Sequence, residues 1–201
     1  MTPHKPTRPD YAWGWDNMTR EHMVEKMERG WRNSPTPCGT GSSLEGAYTI
    51  SRLLPRFVEE YEIDTLADMG AGDLFWMAGI VESLCLDKYA PYDLVVRHKD
   101  VTQFDITTQT LPHPFDLILC RHVLNHISPR MARDALQRFK DSGSTWLLMT
   151  NCPNQVEYWK DHALYPLSEN GPVQVFHDVD KWQLELYRLA DILPVPTEAR
   201  S

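Results

Sequence analysis

Apolar and polar positions along this chain fall into blocks that switch between two periods. Thr65-Leu66-Ala67 is a short apolar run that ends on glycines, Phe115 to Cys120 (FDLILC) is the cleanest buried strand, and Thr145 to Thr150 (TWLLMT) is another. Runs this short and this uniformly apolar mark strands covered on both faces. Tyr89 to Val96 and Val101 to Thr107 read as two more strands. Val173 to His177 and Trp182 to Leu189 read as an antiparallel hairpin with Asp178, Asp180 and Lys181 at its turn. Elsewhere the period is helical. Met23, Val24 and Met27 share one face of Met18 to Arg29, and Leu44, Ala47, Ile50, Leu54, Phe57 and Tyr61 share one face of the next segment, where Pro55 marks a bend. Ser42 with Glu45 fits a capping box for that second helix. Leu74 to Leu86 is apolar nearly all round, as expected of a helix covered on several sides. Ser128-Pro129 opens a helix lined by Met131, Ala135, Leu136 and Phe139 and followed by Gly143. Strands alternating with helices give an α/β class.

Composition narrows the picture. The chain has 201 residues, 42% hydrophobic and 24% charged, enough for one domain with a full core. Its net charge of −8 offers no basic surface to steer a long polyanion, which argues against a nucleic-acid polymer as partner. No run of about 18 apolar residues occurs, so no membrane span is expected. The four cysteines, Cys38, Cys85, Cys120 and Cys152, lack C-x-x-C spacing and read as free thiols of a cytoplasmic protein. Met1 to Asp10 has proline at every third position from Pro3 to Pro9 and reads as an extended arm. Tyr11, Trp13, Trp15 and Trp31 surround the first helix, which either packs on the core or forms a lid.

Candidate chemistry centres on Asp68-Met69-Gly70-Ala71-Gly72-Asp73, a tight turn running out of the Thr65 strand. Glycines let the main chain approach a ligand without a Cβ in the way, and free N–H groups beyond them favour acceptors, so the stretch reads as a nucleotide site. It is neither the full dinucleotide pattern nor a phosphate loop, having no lysine for a triphosphate. Asp93 follows Gly72 by about 20 residues at the tip of the next strand, where an acidic side chain accepts both hydroxyl hydrogens of a ribose. Asp105 ends the third strand where an adenine amino group needs an acceptor. The crossover Arg97-His98-Lys99-Asp100 is too short for a helix. A second glycine-flanked stretch, Gly39-Thr40-Gly41, lies upstream.

These residues resemble the class I S-adenosylmethionine-dependent methyltransferases. More closely, they are similar to small bacterial and phage members typed by four motifs: G-x-G-S-x-x-E, here Gly39 to Glu45; D-x-G-x-G-D-x-x-W-M, here Asp68 to Met77; C-R-D-x-L-x-H, here Cys120 to His126; and L-x-L-W/Y-x-L, here Leu184 to Leu189. The resemblance spans about residues 37–190. It implies a Rossmann-like methyltransferase fold, a central mostly parallel sheet of about seven strands with an antiparallel C-terminal hairpin. It implies S-adenosyl-L-methionine as cofactor, with Gly70, Ala71 and Gly72 along its methionine and ribose, Asp93 on the ribose, Asp105 and Ile106 at the adenine, and Cys120 with Arg121 beneath the sulfonium. His122 stands where that group carries Asp. The corresponding organisation is an arm and lid over 1–36, the cofactor domain over 37–193 and a tail over 194–201.

A sulfonium methyl is already activated, so in-line positioning of the acceptor supplies much of the rate, and a base is needed only where the acceptor must lose a proton. His122 and His126 are the candidate catalytic bases because histidine titrates near neutrality. Structural roles for both, or an H-x-x-x-H metal pair short of a third ligand, are the alternatives. Asn151-Cys152-Pro153-Asn154 superficially resembles the Asn-Pro-Pro-Tyr box of amino-methylating DNA enzymes but follows the fifth strand rather than the fourth. Cys120 with Cys152 mimics the cysteine pair of cytosine-5 RNA enzymes without that family's surrounding motif. The expectation is therefore a methyltransferase acting on oxygen or nitrogen of a small or unpolymerised acceptor. The competing functions are a non-catalytic S-adenosylmethionine-binding sensor or partner subunit, an enzyme that cleaves the cofactor, and a nucleic-acid methyltransferase.

Overall fold

A computed structural model describes residues 18–31, 33–151, 167–178 and 182–193. The proline-rich arm, Trp13, Trp15, Cys152, Asp180, Lys181 and the tail from 194 lie outside the described residues. Among the described residues, seven strands form one sheet in the order β3-β2-β1-β4-β5-β7-β6. They are β1 Thr65–Met69, β2 Lys88–Asp93, β3 Thr102–Gln103, β4 Leu117–Cys120, β5 Trp146–Asn151, β6 Gln174–His177 and β7 Gln183–Arg188. The first five are parallel, and β7 runs antiparallel to both β5 and β6. The mostly parallel sheet with an antiparallel C-terminal hairpin is thus present.

Period-2 alternation splits the core in two. Leu66, Leu117, Leu119, Leu148, Leu184 and Leu186 pack with Ile50, Leu54 and Phe57 of α2 (Tyr48–Glu60). Ala67, Met69, Ile118, Leu147, Met149 and Tyr187 pack in a second cluster with Ala132, Ala135, Leu136 and Phe139 of α3 (Pro129–Asp141). A sheet covered on both faces needs apolar residues at every position of its central strands, which is why β4 reads Leu-Ile-Leu-Cys and is buried throughout. Ser128 caps α3 by accepting from the Met131 N–H at 3.3 Å, and Pro129 sits in its first turn. A third helix, α1 (Arg20–Arg29), carries its own capping box: Thr19 Oγ1 accepts from the His22 N–H, and His22 Nδ1 accepts from the Thr19 N–H. No helix among the described residues is long and apolar enough to cross a membrane.

Two expected helical features take another form. Leu74 to Leu86 is not an α-helix but two 3₁₀ turns, Met77–Gly79 and Val81–Leu84. Leu74 and Cys85 bracket it in the left-handed region, at φ 57° and 51°. Asp73 Oδ1 accepts from the Phe75 N–H at 3.3 Å, giving the backbone a local alternative to the helix. Gly79 and the β-branched Ile80-Val81 weaken the helix further. The Ser42–Glu45 capping box also does not form. Ser43 Oγ instead donates to the Thr40 carbonyl and accepts from the Gly46 N–H, so the chain turns and α2 starts only at Tyr48, with Leu44 left 63% exposed. The helix then runs through Pro55 to Glu60. As the short crossover requires, no helix separates β2 from β3.

At the N-terminal ends of β1 and β4, one carboxylate joins the strands. Asp116 Oδ2 accepts from the N–H groups of Asp64 and Thr65 and from Thr65 Oγ1, while Thr65 Oγ1 accepts from the Asp116 N–H. Asp116→Ala is expected to lower stability by about 2–3 kcal/mol, read as a lower urea midpoint at constant slope; an unchanged midpoint would show the junction to be energetically silent. A second carboxylate, Asp68, is buried within β1 and accepts from the Tyr89 hydroxyl at 2.8 Å. Burial, with the nearby Asp93 charge, pushes it from 3.8 up to about 7, against the pull of Tyr89 and Arg121. The folded state therefore keeps a proton that the unfolded chain gives up. That stabilisation is complete below about pH 4 and is lost as pH rises to about 7. Asp68→Asn has no proton to lose, so its stability relative to wild type is expected to climb across that window by a few kcal/mol, on the order implied by about 1.4 kcal/mol per pH unit. Urea unfolding of both proteins from pH 4 to 8 measures it, and a pH-independent difference would contradict the assignment.

Candidate functional site

Strand order reverses between β1 and β4: the chain leaves β1 towards β2 and β3, then returns to build β4 and β5 on the other side. Ligands of open α/β sheets bind at the carboxyl edge over such a switch point. A cleft open to solvent at its mouth lies there. Its walls include Gly70, Gly72, Asp93, Asp105, Ile106, Arg121, His122 and His126. The sequence-derived candidates Ala71 and Cys120 do not line it; both are buried, Cys120 at the end of β4.

The turn after β1 is laced to the end of β2. Gly70 and Ala71 donate their N–H groups to the Tyr92 carbonyl at 2.8 and 3.0 Å, and Gly72 donates to Asp93 Oδ2 at 2.9 Å. Asp93 Oδ1 accepts from the Val95 N–H at 3.0 Å, so the carboxylate is fixed before any ligand arrives. Burial pushes its pKa up, and the backbone N–H groups and Arg97 only partly offset this. Gly70 and Gly72 adopt φ of 86° and 64°. A Cβ on Gly70 would lie 2.2 Å from Val123 Cγ2, and one on Gly72 would lie 2.8 Å from Cys38 Sγ. Both the conformation and the close approach demand glycine. Cys38 Sγ therefore rests on the turn, and its thiol is pushed up to about 11 by burial and by Asp73.

The far wall is built from α1 and the loop after β3. Asp105 Oδ1 accepts from the N–H and hydroxyl of Thr107, and Oδ2 accepts from Arg20 Nε at 2.6 Å. Burial raises the Asp105 pKa, but these donors outweigh it and hold the group below its ordinary range. At the other end of α1, Arg97 donates to the Met27 and Glu28 carbonyls. The helix is thus pinned at both ends to the β2–β3 side, and Met23, Met27 and the following Trp31 face the cleft. Trp31 meets His126 edge to face with ring centroids 5.1 Å apart.

Arg121, at the tip of β4, closes the third side. Its guanidinium makes a side-on pair with Asp178, Nε to Oδ2 at 2.9 Å and Nη2 to Oδ1 at 3.1 Å, and also donates to the carbonyls of Gly41 and Gly46 at 2.6 and 2.7 Å. His122 follows in the left-handed region at φ 54°, unusual for a residue with a Cβ. Its N–H is held by Thr150 Oγ1 at 3.0 Å. The two histidines, four positions apart in sequence, engage different partners: His122 meets Asp178 and Trp182, and His126 meets Trp31 and Asn125. No group of three metal-ligating side chains occurs among the described residues. Arg20, Arg97 and Asp178 carry no signal of a site in the sequence, where Arg97 and Asp178 read only as crossover and turn residues. Each acts on a partner far along the chain, so no local spacing marks it.

No protein-family model and no curated protein matches the chain by sequence. Its structure is similar to that of the N-methyltransferase NodS from Bradyrhizobium japonicum, solved in complex with S-adenosyl-L-homocysteine, at 12% identity and a TM-score of 0.57 over 83% of this chain and 97% of that one. It is also similar to magnesium protoporphyrin IX methyltransferase (ChlM) from Synechocystis with bound S-adenosyl-L-homocysteine, at 10% identity and a TM-score of 0.48 over 71% of this chain and 83% of that one. A third likeness is to an S-adenosylmethionine-dependent methyltransferase from Clostridium acetobutylicum, at 14% identity and a TM-score of 0.42 over 65% and 56%. The strand order and the NodS likeness together show that the chain has the Rossmann-like fold of the class I methyltransferases.

Proposed function

We propose that this protein is an S-adenosyl-L-methionine-dependent methyltransferase acting on oxygen or nitrogen of a small or unpolymerised acceptor. The observation that carries the proposal is the convergence on one cleft of a glycine turn, the Asp93 carboxylate and the Asp105–Ile106 loop. The turn leaves room for an extended ligand, Asp93 offers a fixed acceptor to a ribose diol, and Leu94, Phe104 and Ile106 supply apolar wall for a base. NodS, whose fold this chain shares, was solved with the demethylated cofactor. The acceptor then enters beside the Arg121 to His126 segment, where His122 and His126 are the side chains able to take a proton. Roofing by α1 and Trp31, together with the net charge of −8, favours a small molecule over a nucleic-acid polymer. Residues 1–36 serve as arm and lid in this scheme, and the free thiols Cys38, Cys85 and Cys120 accord with a cytoplasmic setting.

Calorimetry with S-adenosyl-L-methionine and S-adenosyl-L-homocysteine tests the proposal. Both are expected to bind, and Asp93→Ala is expected to weaken them about 100-fold or more, since two hydrogen bonds to a charged acceptor are lost. Unchanged affinity in Asp93→Ala, or binding of NAD or ATP in their place, would refute it. The roof has a separate test. Arg20→Ala combined with Arg97→Ala releases both ends of α1 and is expected to weaken cofactor binding several-fold and to speed proteolysis within residues 18–31. If neither changes, α1 is a passive wall.

A further inference from the structure

Asp178 has no role in the scheme above, yet its carboxylate is fully enclosed. It lies at the end of β6 and meets the two residues that follow β4, Arg121 and His122. His122 Nε2 lies 3.3 Å from Asp178 Oδ2. That nitrogen is itself enclosed and makes no hydrogen bond of good geometry; Asp178 Oδ2, at ion-pair distance, is the acceptor beside it among the described residues, so a small rotation of the ring closes the bond. A bare nitrogen lone pair aimed at a carboxylate oxygen is repulsive, so the proton of the neutral imidazole belongs on Nε2. The rest of the surroundings fix the ring. Trp182 stands against it with centroids 5.2 Å apart at 88°. Gly41 packs so closely that a Cβ there would lie 2.8 Å from Cδ2 and 3.2 Å from Nε2. Gly41 thus lies on the Cδ2–Nε2 side of the ring, and His122 lines the cleft.

We propose that Asp178 is the positioning residue of His122: it holds the imidazole as the Nε2–H tautomer and directs the Nδ1 lone pair at the acceptor. The inference rests on the methyltransferase proposal and selects His122 over His126, whose ring is turned to Trp31 and Asn125. In the step, the acceptor oxygen or nitrogen forms a bond to the methyl carbon as the carbon–sulfur bond breaks. The bonding pair stays on sulfur, and the acceptor proton passes to Nδ1. The positive charge of the sulfonium ends on the imidazolium, beside the Asp178 carboxylate. Among the described residues, two charged groups face the ring, Arg121 from the β4 tip and Asp178 from β6; Gly41, Thr150 and Trp182 beside it are neutral. Burial, with Arg121, lowers the His122 pKa, and Asp178 opposes this without reversing it. The base is thus unprotonated at neutral pH and ready to accept. Asp178, for its part, is raised by burial but held below its ordinary range by His122 and Arg121.

Nitrogen–proton correlation spectra of the full-length, 15N-histidine-labelled protein read the tautomer directly and need no acceptor, with His122→Gln supplying the assignment. Wild type is expected to show His122 as the Nε2–H tautomer, and Asp178→Asn, which retains an oxygen for Arg121, is expected to titrate at lower pH and to lose the single-tautomer signature. In single-turnover methyl transfer, the acidic limb of the pH profile is expected to move to lower pH in Asp178→Asn. Its plateau should fall about tenfold or more, with cofactor affinity held. An Nδ1–H tautomer in wild type overturns the proposal, as does an Asp178→Asn protein with native melting whose His122 titration is unmoved. Should calorimetry show no cofactor binding, the methyltransferase proposal fails on its own measurement, while the tautomer still decides the geometry of the pair.

Discussion

A buried guanidinium must be given acceptors on all sides, because an unpaired charge away from water costs several kcal/mol. Arg121 satisfies that demand by drawing two distant pieces of chain to the tip of β4: the glycine-rich loop, through the Gly41 and Gly46 carbonyls, and the end of β6, through the Asp178 carboxylate. The loop before α2, the hairpin at the sheet's far edge and the residue after Arg121 are therefore positioned by one side chain. His122 takes its left-handed backbone where the loop, Thr150 and Asp178 close around it. Strain of this kind survives only where the surroundings over-determine it, and such places cluster at functional sites.

The cofactor side obeys a different constraint, close approach of main chain to main chain. Gly70 and Gly72 have no room for a Cβ, and the N–H groups of the turn are spent on the end of β2, two on the Tyr92 carbonyl and one on Asp93. The turn and Asp93, the acid proposed to meet the ribose, are consequently one unit, so movement of either displaces the other. Across the cleft, Asp105 is shared between Thr107 and Arg20. The residue proposed to meet the adenine is the same one that holds Arg20 of α1.

Much of the fold was legible because strands covered on both faces must be apolar throughout: Phe115 to Cys120 and Thr145 to Thr150 stand out for that reason. The parallel order and the hairpin followed from the motifs at their tips. What stayed hidden was hidden for physical causes. Leu74 to Leu86 has helical composition, but Asp73 offers the backbone a turn, Gly79 and the Ile80-Val81 pair weaken the helix, and apolarity on all sides carries no periodic signal to reveal it. Ser42 and Glu45 have capping-box spacing, yet Ser43 satisfies the local backbone first. Within the site, Gly70, Gly72, Asp93, Asp105, Ile106, Arg121, His122 and His126 do gather around one cleft, while Ala71 and Cys120 lie behind it. Arg121 was expected beneath a ligand; its four bonds to protein groups instead come from segments whose pairing no local pattern encodes. Asp178 looked like a turn residue, and only the folded chain shows what it faces.

The central claim is that this cleft holds S-adenosyl-L-methionine across the tips of β2, β1 and β4. A crystal structure of the full chain with S-adenosyl-L-homocysteine tests it most directly. The expected result places the ribose hydroxyls on Asp93, the adenine between Ile106 and the Asp105 carboxylate, and the sulfur above the end of β4, facing His122. A ligand bound elsewhere, or one in the cleft with its ribose turned away from Asp93, would contradict the claim.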